Sequence, residues 1–232
     1  MRFETPDDKA VYVREKFGKI SRKYDLFNDL ITLGLHRIWK KKVVAFALEK
    51  KPETLLDICC GTGDIARRAF RDSRGATSVT GGDFSREMLE LAHLKEKEID
   101  WLMEDACALS FDDESFEAVT VGFGLRNVKD MSAALAEIFR ILKPGGKFVM
   151  LDMGKPENAL VRIPFRFFFF RVVPLIGKML LPGEDMFSYF PASTDNFPSQ
   201  KETSRMILSA GFAKADIIDK SFGCVAIHNC EK

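Results

Sequence analysis

The residues best placed to do chemistry are acids and glycines that follow two apolar runs. Asp57 lies in the first run, and the turn Gly61-Thr62-Gly63 follows soon after it. An apolar run that enters a glycine turn and then a helix places backbone N–H groups at the carboxyl end of a strand. Asp83 closes the second run twenty residues after Gly63, near the spacing at which an acid meets a ribose in doubly wound folds. The pattern predicts a site for a nucleoside cofactor.

Alternating strands and helices must position these residues. Apolar runs and turn residues predict strands at 54–59, 77–82, 99–103, 116–121 and 147–152, helices at 64–71, 86–97, 131–142 and 199–210, and a closing pair of strands at 215–218 and 225–227. Helix is also predicted over 8–50, with a break near 21–25. The alternation predicts an α/β fold: a doubly wound, mainly parallel seven-stranded sheet with an antiparallel C-terminal strand and N-terminal helices.

A chain of 232 residues suits one large domain. Within a single domain over 1–232, we expect residues 1–50 to form a helical cover and residues 155–198 an irregular insert that acts as a substrate lid. The apolar stretch 160–181 is interrupted by basic residues and prolines, so it does not resemble a membrane span. Its block Phe167-Phe168-Phe169-Phe170 is interpreted either as a core helix or as an apolar lid that touches a membrane.

Charge and cysteine content exclude several classes. The net charge of +1 gives no global field for nucleic acid, so no nucleic-acid partner is expected. The basic run at 37–42 is either a solvated helix face or a contact for an anionic membrane surface. Five cysteines show no zinc or disulfide spacing, and no metal site is predicted. Early acids and the lack of an apolar leader predict a cytoplasmic protein, with peripheral contact at the inner face of the membrane as a further hypothesis.

The glycine turn bears on which nucleoside is bound. A nicotinamide dehydrogenase usually has G-x-G-x-x-G, whereas this turn has two glycines and then Arg67 where a small residue is wanted. Asp57 suits a cationic group or an ammonium, and Asp83 suits the ribose. Together they resemble the class I S-adenosylmethionine-dependent methyltransferases, a Rossmann-like family in which Asp105 and Ala106 match the position at the adenine edge.

Further stretches narrow the resemblance. They closely resemble the signatures of the ubiquinone/menaquinone biosynthesis C-methyltransferase family over nearly the whole chain. The stretches are Tyr24-Asp25-Leu26-Phe27-Asn28-Asp29, Leu33-Gly34-Leu35-His36-Arg37-Ile38-Trp39, Gly122-Phe123-Gly124-Leu125-Arg126-Asn127-Val128-Lys129-Asp130 and Leu142-Lys143-Pro144-Gly145-Gly146. There are departures: Asp152 stands where the family usually has Glu, Phe27 replaces the commoner Met, and Gly122 stands where some members have a cofactor-contacting Ser.

The resemblance implies a reaction and a set of residues. S-adenosylmethionine would methylate a ring carbon of a polyprenylated quinol, either demethylmenaquinol or 2-polyprenyl-6-methoxy-1,4-benzoquinol. Arg126 would stabilise the phenolate of the acceptor, and Asn127 would orient it. Tyr24 and Asp25 would belong to the cover over the site. Asp25 or His36 would take the quinol proton, although each is equally suited to a local capping role.

Other functions make different demands on the sequence. Nucleic-acid amino-methyltransferases commonly carry an Asn/Asp-Pro-Pro-aromatic motif after the fourth strand, and cytosine ring methylation needs a Pro-Cys nucleophile; the stretch Gly122–Asn127 has neither. Another small-molecule methyltransferase, or a non-catalytic S-adenosylmethionine-binding component of a quinone biosynthesis complex, is the remaining alternative. The presence of Arg126 and Asn127 argues against the non-catalytic component. Oligomeric state is not readable from the sequence.

Overall fold

A computed structural model describes residues 5–180 and 186–232. The strands are β1 Thr54–Ile58, β2 Ser78–Asp83, β3 Asp100–Met103, β4 Phe116–Gly122, β5 Leu142–Met153, β6 Lys214–Lys220 and β7 Val225–Glu231. The described helices are α1 Pro6–Thr32, α2 Leu35–Ala47, α3 Asp64–Ser73, α4 Arg86–Lys95, α5 Met131–Ile141, α6 Ala159–Phe167, α7 Val173–Leu180, α8 Met186–Asn196 and α9 Gln200–Ser209. A π-helical turn, Phe168–Val172, joins α6 to α7.

The seven strands form one sheet in the order β3-β2-β1-β4-β5-β7-β6. The pairs from β3 across to β5 are parallel, and β7 runs antiparallel to both β5 and β6. The predicted α/β fold with a mainly parallel sheet and one antiparallel C-terminal strand is confirmed. The carboxyl ends of β1, β2 and β4 therefore meet at one edge of the sheet, where ligands bind in open α/β folds.

Apolar side chains on both faces hold the sheet between helices. Neighbouring residues of a strand face opposite sides, so Leu55 packs with α2 and α3, while Leu56 packs with α5 and α9. Both leucines are fully buried, as expected for a parallel strand that is covered on both faces. The two layers fix the strand ends that carry the predicted site.

A third apolar cluster lies outside the sheet layers and forms the cover. Val13, Phe17, Ile20 and Phe27 of α1 pack with α7, α8 and the π-helical turn. Their spacing of three, four and seven residues places them on one helix face. The cover is thus a small core of its own that rests on the carboxyl edge of the sheet.

Two predictions about the elements are wrong. Helix α1 has no break near 21–25, because Ile20 and Phe27 continue its buried stripe across the polar residues, and it ends instead at Thr32 with Leu33 as its C-cap. The predicted irregular insert at 155–198 is largely helical in its described part. Its apolar residues gain enough burial against α1 to outweigh Pro164 and Pro191 inside helices. No helix in the described ranges is both long and apolar enough to span a bilayer.

Candidate active site

The turn after β1 is built by close approach of backbone to neighbouring side chains. Gly63 has φ +80°, and a Cβ at this position would overlap the ring of Trp101. Gly61 has φ +56°, and a Cβ there would meet no atom within 4 Å. One glycine therefore lets the turn pack against β3, and the other leaves open space above the turn.

Asp83 ties this turn to the end of β2. Its Oδ2 accepts a hydrogen bond from the Gly61 N–H at 2.8 Å, and its Oδ1 accepts one from the Ser85 N–H at 2.9 Å. Burial raises the pKa of Asp83 to about 6, although hydrogen bonds from the backbone of Ser85, Gly61 and Phe84 oppose the shift. Each carboxylate oxygen keeps a lone pair for a further donor, which suits the hydroxyl groups of a ribose.

A cavity at the carboxyl edge, here called the loop cavity, brings most of the predicted residues together. Its lining comprises Arg14, Phe17, Tyr24, Cys59, Gly61, Asp83, Phe84, Met88, Asp105, Ala106, Gly122, Phe123, Gly124, Asn127, Val128 and Lys129. Four of the seven predicted cofactor residues, Gly61, Asp83, Asp105 and Ala106, therefore line one space. Sequence reasoning missed Arg14 and Phe17, although the helical spacing between Phe17 and Tyr24 indicates that they share a face of α1.

The other three predicted cofactor residues support the loop cavity without lining it. Asp57 is buried and accepts hydrogen bonds from the Ala66 N–H at 3.1 Å and the Thr120 hydroxyl at 2.7 Å. Burial raises its pKa to about 7. Thr62 is also buried, and Gly63 faces Trp101. The contacts of Asp57 show a side chain that fixes the end of β1 against β4 and α3.

Asp25 does not join the other predicted catalytic residues. Its Oδ1 accepts a hydrogen bond from the Thr62 hydroxyl at 2.7 Å, and its Oδ2 accepts one from Lys95 Nζ. It lines neither the loop cavity nor the apolar cavity beside it. These contacts indicate that Asp25 holds α1 against the glycine turn and α4.

An apolar cavity of about 450 Å³ adjoins the loop cavity. Phe165, Phe168, Phe169, Ile176 and Phe190 from the insert line it, together with α1, α2 and the turn after β6. Tyr24 and Phe123 line both cavities. A ligand in one cavity can therefore meet a ligand in the other at the Tyr24–Phe123 wall.

Arg126 and Asn127 lie on opposite sides of this wall. Arg126 lines the apolar cavity, whereas Asn127 lines the loop cavity. Arg126 Nη1 donates to the Phe123 carbonyl at 2.8 Å and to Asp152 Oδ1 at 2.7 Å. Asn127 Nδ2 donates to the same carbonyl at 3.3 Å, and its Oδ1 accepts from the Tyr189 hydroxyl at 3.2 Å.

The Arg126 guanidinium remains charged although it is buried. Burial lowers its pKa, but Asp152, Tyr24 and Tyr189 together more than offset that effect, so the pKa lies above the usual arginine value. Arg126 Nε and Asp152 Oδ2 have no hydrogen-bond partner among the described residues. A buried cation at a cavity wall is suited to stabilise an anion that forms there.

His36 lies in the wall of the apolar cavity. Its Nδ1 is 2.8 Å from the Thr32 hydroxyl, which itself donates to the Asn28 carbonyl at 2.6 Å. We therefore assign the imidazole proton to Nδ1, which leaves Nε2 as the acceptor. Burial lowers the pKa of His36, so the ring is neutral at neutral pH.

The residues of the loop cavity fit a nucleoside cofactor. The open space over Gly61 can receive a ligand, and Asp83 supplies acceptors beside it. Phe84 and Met88 add an apolar wall next to Asp83, as a purine ring requires. Asp105 lies at the same cavity, where its Oδ1 accepts from the Cys107 N–H at 2.9 Å.

Comparison with known proteins identifies the family of the chain. The model of the ubiE/COQ5 methyltransferase family matches residues 5–232. A demethylmenaquinone methyltransferase of Leptospira interrogans is 41% identical over 97% of this chain and 94% of its own length. A ubiquinone/menaquinone biosynthesis C-methyltransferase of Rickettsia bellii is 37% identical over 97% of this chain and 94% of its own.

A solved structure supports the fold independently. The crystal structure of a SAM-dependent methyltransferase of Thermotoga maritima, described as a possible histamine N-methyltransferase, has a TM-score of 0.65 at 18% identity. The similarity covers 94% of this chain and 99% of that one, and it shows the class I methyltransferase fold alone. Because the family model spans nearly all of the sequence, the chain belongs to the ubiE/COQ5 methyltransferase family.

Proposed function

We propose that this chain methylates a ring carbon of a polyprenylated quinol at the wall formed by Tyr24 and Phe123. The chain is an S-adenosylmethionine-dependent C-methyltransferase of quinone biosynthesis, given its family and its full-length relatives. The observation that supports the site is the meeting of the loop cavity and the apolar cavity at those two side chains. In this assignment the quinol ring lies on the apolar side and the methyl donor on the other.

The loop cavity is proposed to hold S-adenosylmethionine, which supplies an activated methyl group. Asp83 would accept hydrogen bonds from the ribose hydroxyls, and Asp105 and Ala106 would contact the adenine edge. Gly61 would leave room for the ligand. Asp57, Thr62 and Gly63 would contribute by fixing the turn, because their side chains or Cα positions face the protein interior.

Arg126 is proposed to stabilise the phenolate form of the quinol. A phenol has a pKa of about 10 and is mostly neutral at pH 7, whereas ring-carbon attack needs the electron density of the anion. A buried guanidinium beside the ring oxygen lowers that pKa, since a nearby opposite charge favours the ionised form. Asn127 is proposed to keep the loop in place through the Phe123 carbonyl and Tyr189.

Of the two proton acceptors considered from the sequence, the geometry favours His36. His36 lines the apolar cavity, and Asp29 Oδ1 lies 3.6 Å from its Nε2. A proton taken by this ring would be stabilised by that carboxylate. Asp25, in contrast, already accepts hydrogen bonds at both oxygens and does not line the apolar cavity.

The identity of the acceptor ring, the place of its polyprenyl tail and contact with the membrane are proposed as follows. The relative from Leptospira interrogans is named for demethylmenaquinone, and that from Rickettsia bellii for both quinone pathways. Relatives with either name reach 41% identity, so identity does not separate the two acceptor rings, and demethylmenaquinol is proposed as the first acceptor to test. A polyprenyl tail would occupy the apolar cavity, with the helical insert as its lid, and a lipid of this kind implies peripheral contact with the membrane.

Transfer of a labelled methyl group from S-adenosylmethionine tests the proposal. Demethylmenaquinol, its oxidised quinone and 2-polyprenyl-6-methoxy-1,4-benzoquinol are compared as acceptors. We expect ring-methylated product only from reduced acceptors, because only they form the phenolate. Equal transfer to the oxidised quinone would contradict the role of Arg126, and no transfer to either quinol by a protein that binds S-adenosylmethionine would contradict the acceptor.

A further inference from the structure

The mouth of the apolar cavity is formed by three segments that are distant in sequence. They are the corner between α1 and α2, the helices α6 and α7, and the turn between β6 and β7. Leu33 and Leu35 represent the first segment in the cavity wall, Ile176 the second, and Ser221 and Cys224 the third. Whatever surface covers this mouth must therefore contact all three.

Large apolar side chains stand exposed on each of the three segments. Leu33 is 87% exposed on the first, and Phe222 is 86% exposed on the third. The second segment exposes Leu160, Ile163, Phe167 and Met179. Of these residues Leu33 itself lines the cavity, and the others stand on segments that contribute to its wall. Single exposed apolar residues are ordinary, but a group on the segments that enclose one cavity marks an interaction surface.

Two of these exposed residues are held in a backbone conformation that their side chains disfavour. Leu33 has φ +51°, and Phe222 has φ +58°. Glycine and asparagine adopt this left-handed region at much lower cost than leucine or phenylalanine. The fold thus keeps a bulky apolar group in water at two strained turns, which is unfavourable unless each group is buried by a partner.

Two of the three segments carry an excess of positive charge. Residues 33–42 contain Arg37, Lys40, Lys41 and Lys42 and no acid, and Arg37 and Lys40 are paired with acids outside this range, Asp29 and Asp64. Residues 155–180 contain five basic residues and one acid, Glu157. Apolar side chains among cations fit a surface that is anionic at the headgroups and apolar below them.

We propose that this docking face, formed by the α1–α2 corner, α6–α7 and the turn at Phe222, binds the surface of an anionic phospholipid bilayer. Leu33, Ile163 and Phe222 enter the boundary between headgroups and acyl chains, and the basic residues contact lipid phosphates. The mouth of the apolar cavity then opens onto the lipid, so a long-tailed quinol can enter without crossing water. Entry of the quinol from the bilayer rests on the proposed function, whereas binding of the docking face to lipid does not require catalytic turnover.

Binding to vesicles without quinol tests the docking face directly. The partition of the full chain is measured on phosphatidylcholine vesicles with and without phosphatidylglycerol. The test variants are Phe222→Asn, which relieves the strained turn, and Ile163→Gln on α6. The matched control is Leu94→Gln, because Leu94 is 72% exposed on α4, away from the mouth.

The expected result is selective loss of vesicle binding. Phe222→Asn and Ile163→Gln should each reduce partition into phosphatidylglycerol vesicles by about tenfold, since each removes one buried apolar side chain. Leu94→Gln should bind as the wild type does. Partition should weaken in high salt and be lower on pure phosphatidylcholine. Methyl transfer to a short-tailed, water-soluble quinol should be unchanged in the two test variants.

Several results would overturn the docking face. The first is absence of wild-type binding to anionic vesicles. The second is binding of the two test variants at the wild-type level. The third is wild-type binding to neutral vesicles that equals its binding to anionic ones. A self-association in sedimentation that Phe222→Asn abolishes would assign the face to a second copy of this chain. The proposed function fails separately, by loss of transfer to the short-tailed quinol, so the two proposals are distinguishable.

Discussion

At the residue scale, one carbonyl oxygen directs two side chains to two cavities. The Phe123 carbonyl accepts hydrogen bonds from Arg126 and Asn127, which line the apolar cavity and the loop cavity respectively. Phe123 itself has φ +60°, a conformation that costs energy for a bulky residue and is concentrated at functional sites. The strain is consistent with a loop that is shaped to separate the two ligands.

Asp152 is expected to act as a positioning residue for Arg126. The Arg126 side chain is 5% exposed and the Asp152 side chain 1% exposed, and one hydrogen bond of 2.7 Å joins them. Asp152→Asn removes the charge that raises the Arg126 pKa and orients its guanidinium. We expect kcat to fall by about 10²-fold, in the range seen when one electrostatic group of an active site is lost, with little change in KM for S-adenosylmethionine.

The control for this prediction is Asp152→Glu. Glutamate restores the negative charge at a position where the family usually has it, so it should recover most of the lost kcat. The pH profile of kcat adds a readout that a purely structural role would not change. It should move to higher pH in Asp152→Asn, because a weakly held guanidinium stabilises the phenolate less. Wild-type kcat and pH profile in Asp152→Asn would contradict the prediction.

At the scale of elements, the glycine turn depends on how closely its backbone can approach the Trp101 ring of β3. Gly63→Ala places a Cβ into the Trp101 ring at a residue with φ +80°. We expect the free energy of unfolding to fall by about 2–4 kcal/mol, combining the left-handed backbone cost with overpacking. Denaturant unfolding measures the loss.

Gly145→Ala is the matched control for the turn. Gly145 has φ +73°, and a Cβ there would meet no atom within 4 Å. Only the backbone cost remains, so the loss should be about 1 kcal/mol. Equal losses in the two variants would mean that contact with Trp101 does not limit the turn.

The elements also show what the sequence could predict. The spacing of Gly61, Gly63 and Asp83 predicted the turn and its acid, because strand ends in a parallel sheet converge on one edge. The continuity of α1 and the structural role of Asp25 remained beyond the sequence. Tyr24 and Asp25 are neighbours in sequence, but successive side chains of a helix point about 100° apart, and only packing decides which one faces the cavities.

At the scale of the whole molecule, the chain has a sheet with two packed faces and a separate apolar core in the cover. Asp57 lies at the centre of this arrangement, since it joins β1 to β4 through Thr120 and to α3 through Ala66. A carboxyl group so deeply buried couples the stability of the whole fold to pH.

The sign of that coupling follows from the raised pKa of Asp57. Its pKa is about 7 in the folded chain, against 3.8 for a free aspartate side chain. Between these values the folded state holds a proton that the unfolded state has released. The stability from this group is therefore fully present below about pH 4 and is lost as the pH rises through about 7.

Asp57→Asn should remove this pH dependence. The amide can accept from the Ala66 N–H and donate to the Thr120 hydroxyl, so both hydrogen bonds persist without a buried charge. At pH 8 we expect the variant to exceed the wild type in free energy of unfolding by about 2 kcal/mol, and at pH 5 the difference should shrink toward zero or reverse.

Asp112→Asn, at an exposed carboxylate, should follow the wild type at both pH values. Parallel stability curves for Asp57→Asn and the wild type would show that Asp57 is ionised over the whole range, and that its two hydrogen bonds offset the cost of burying its charge.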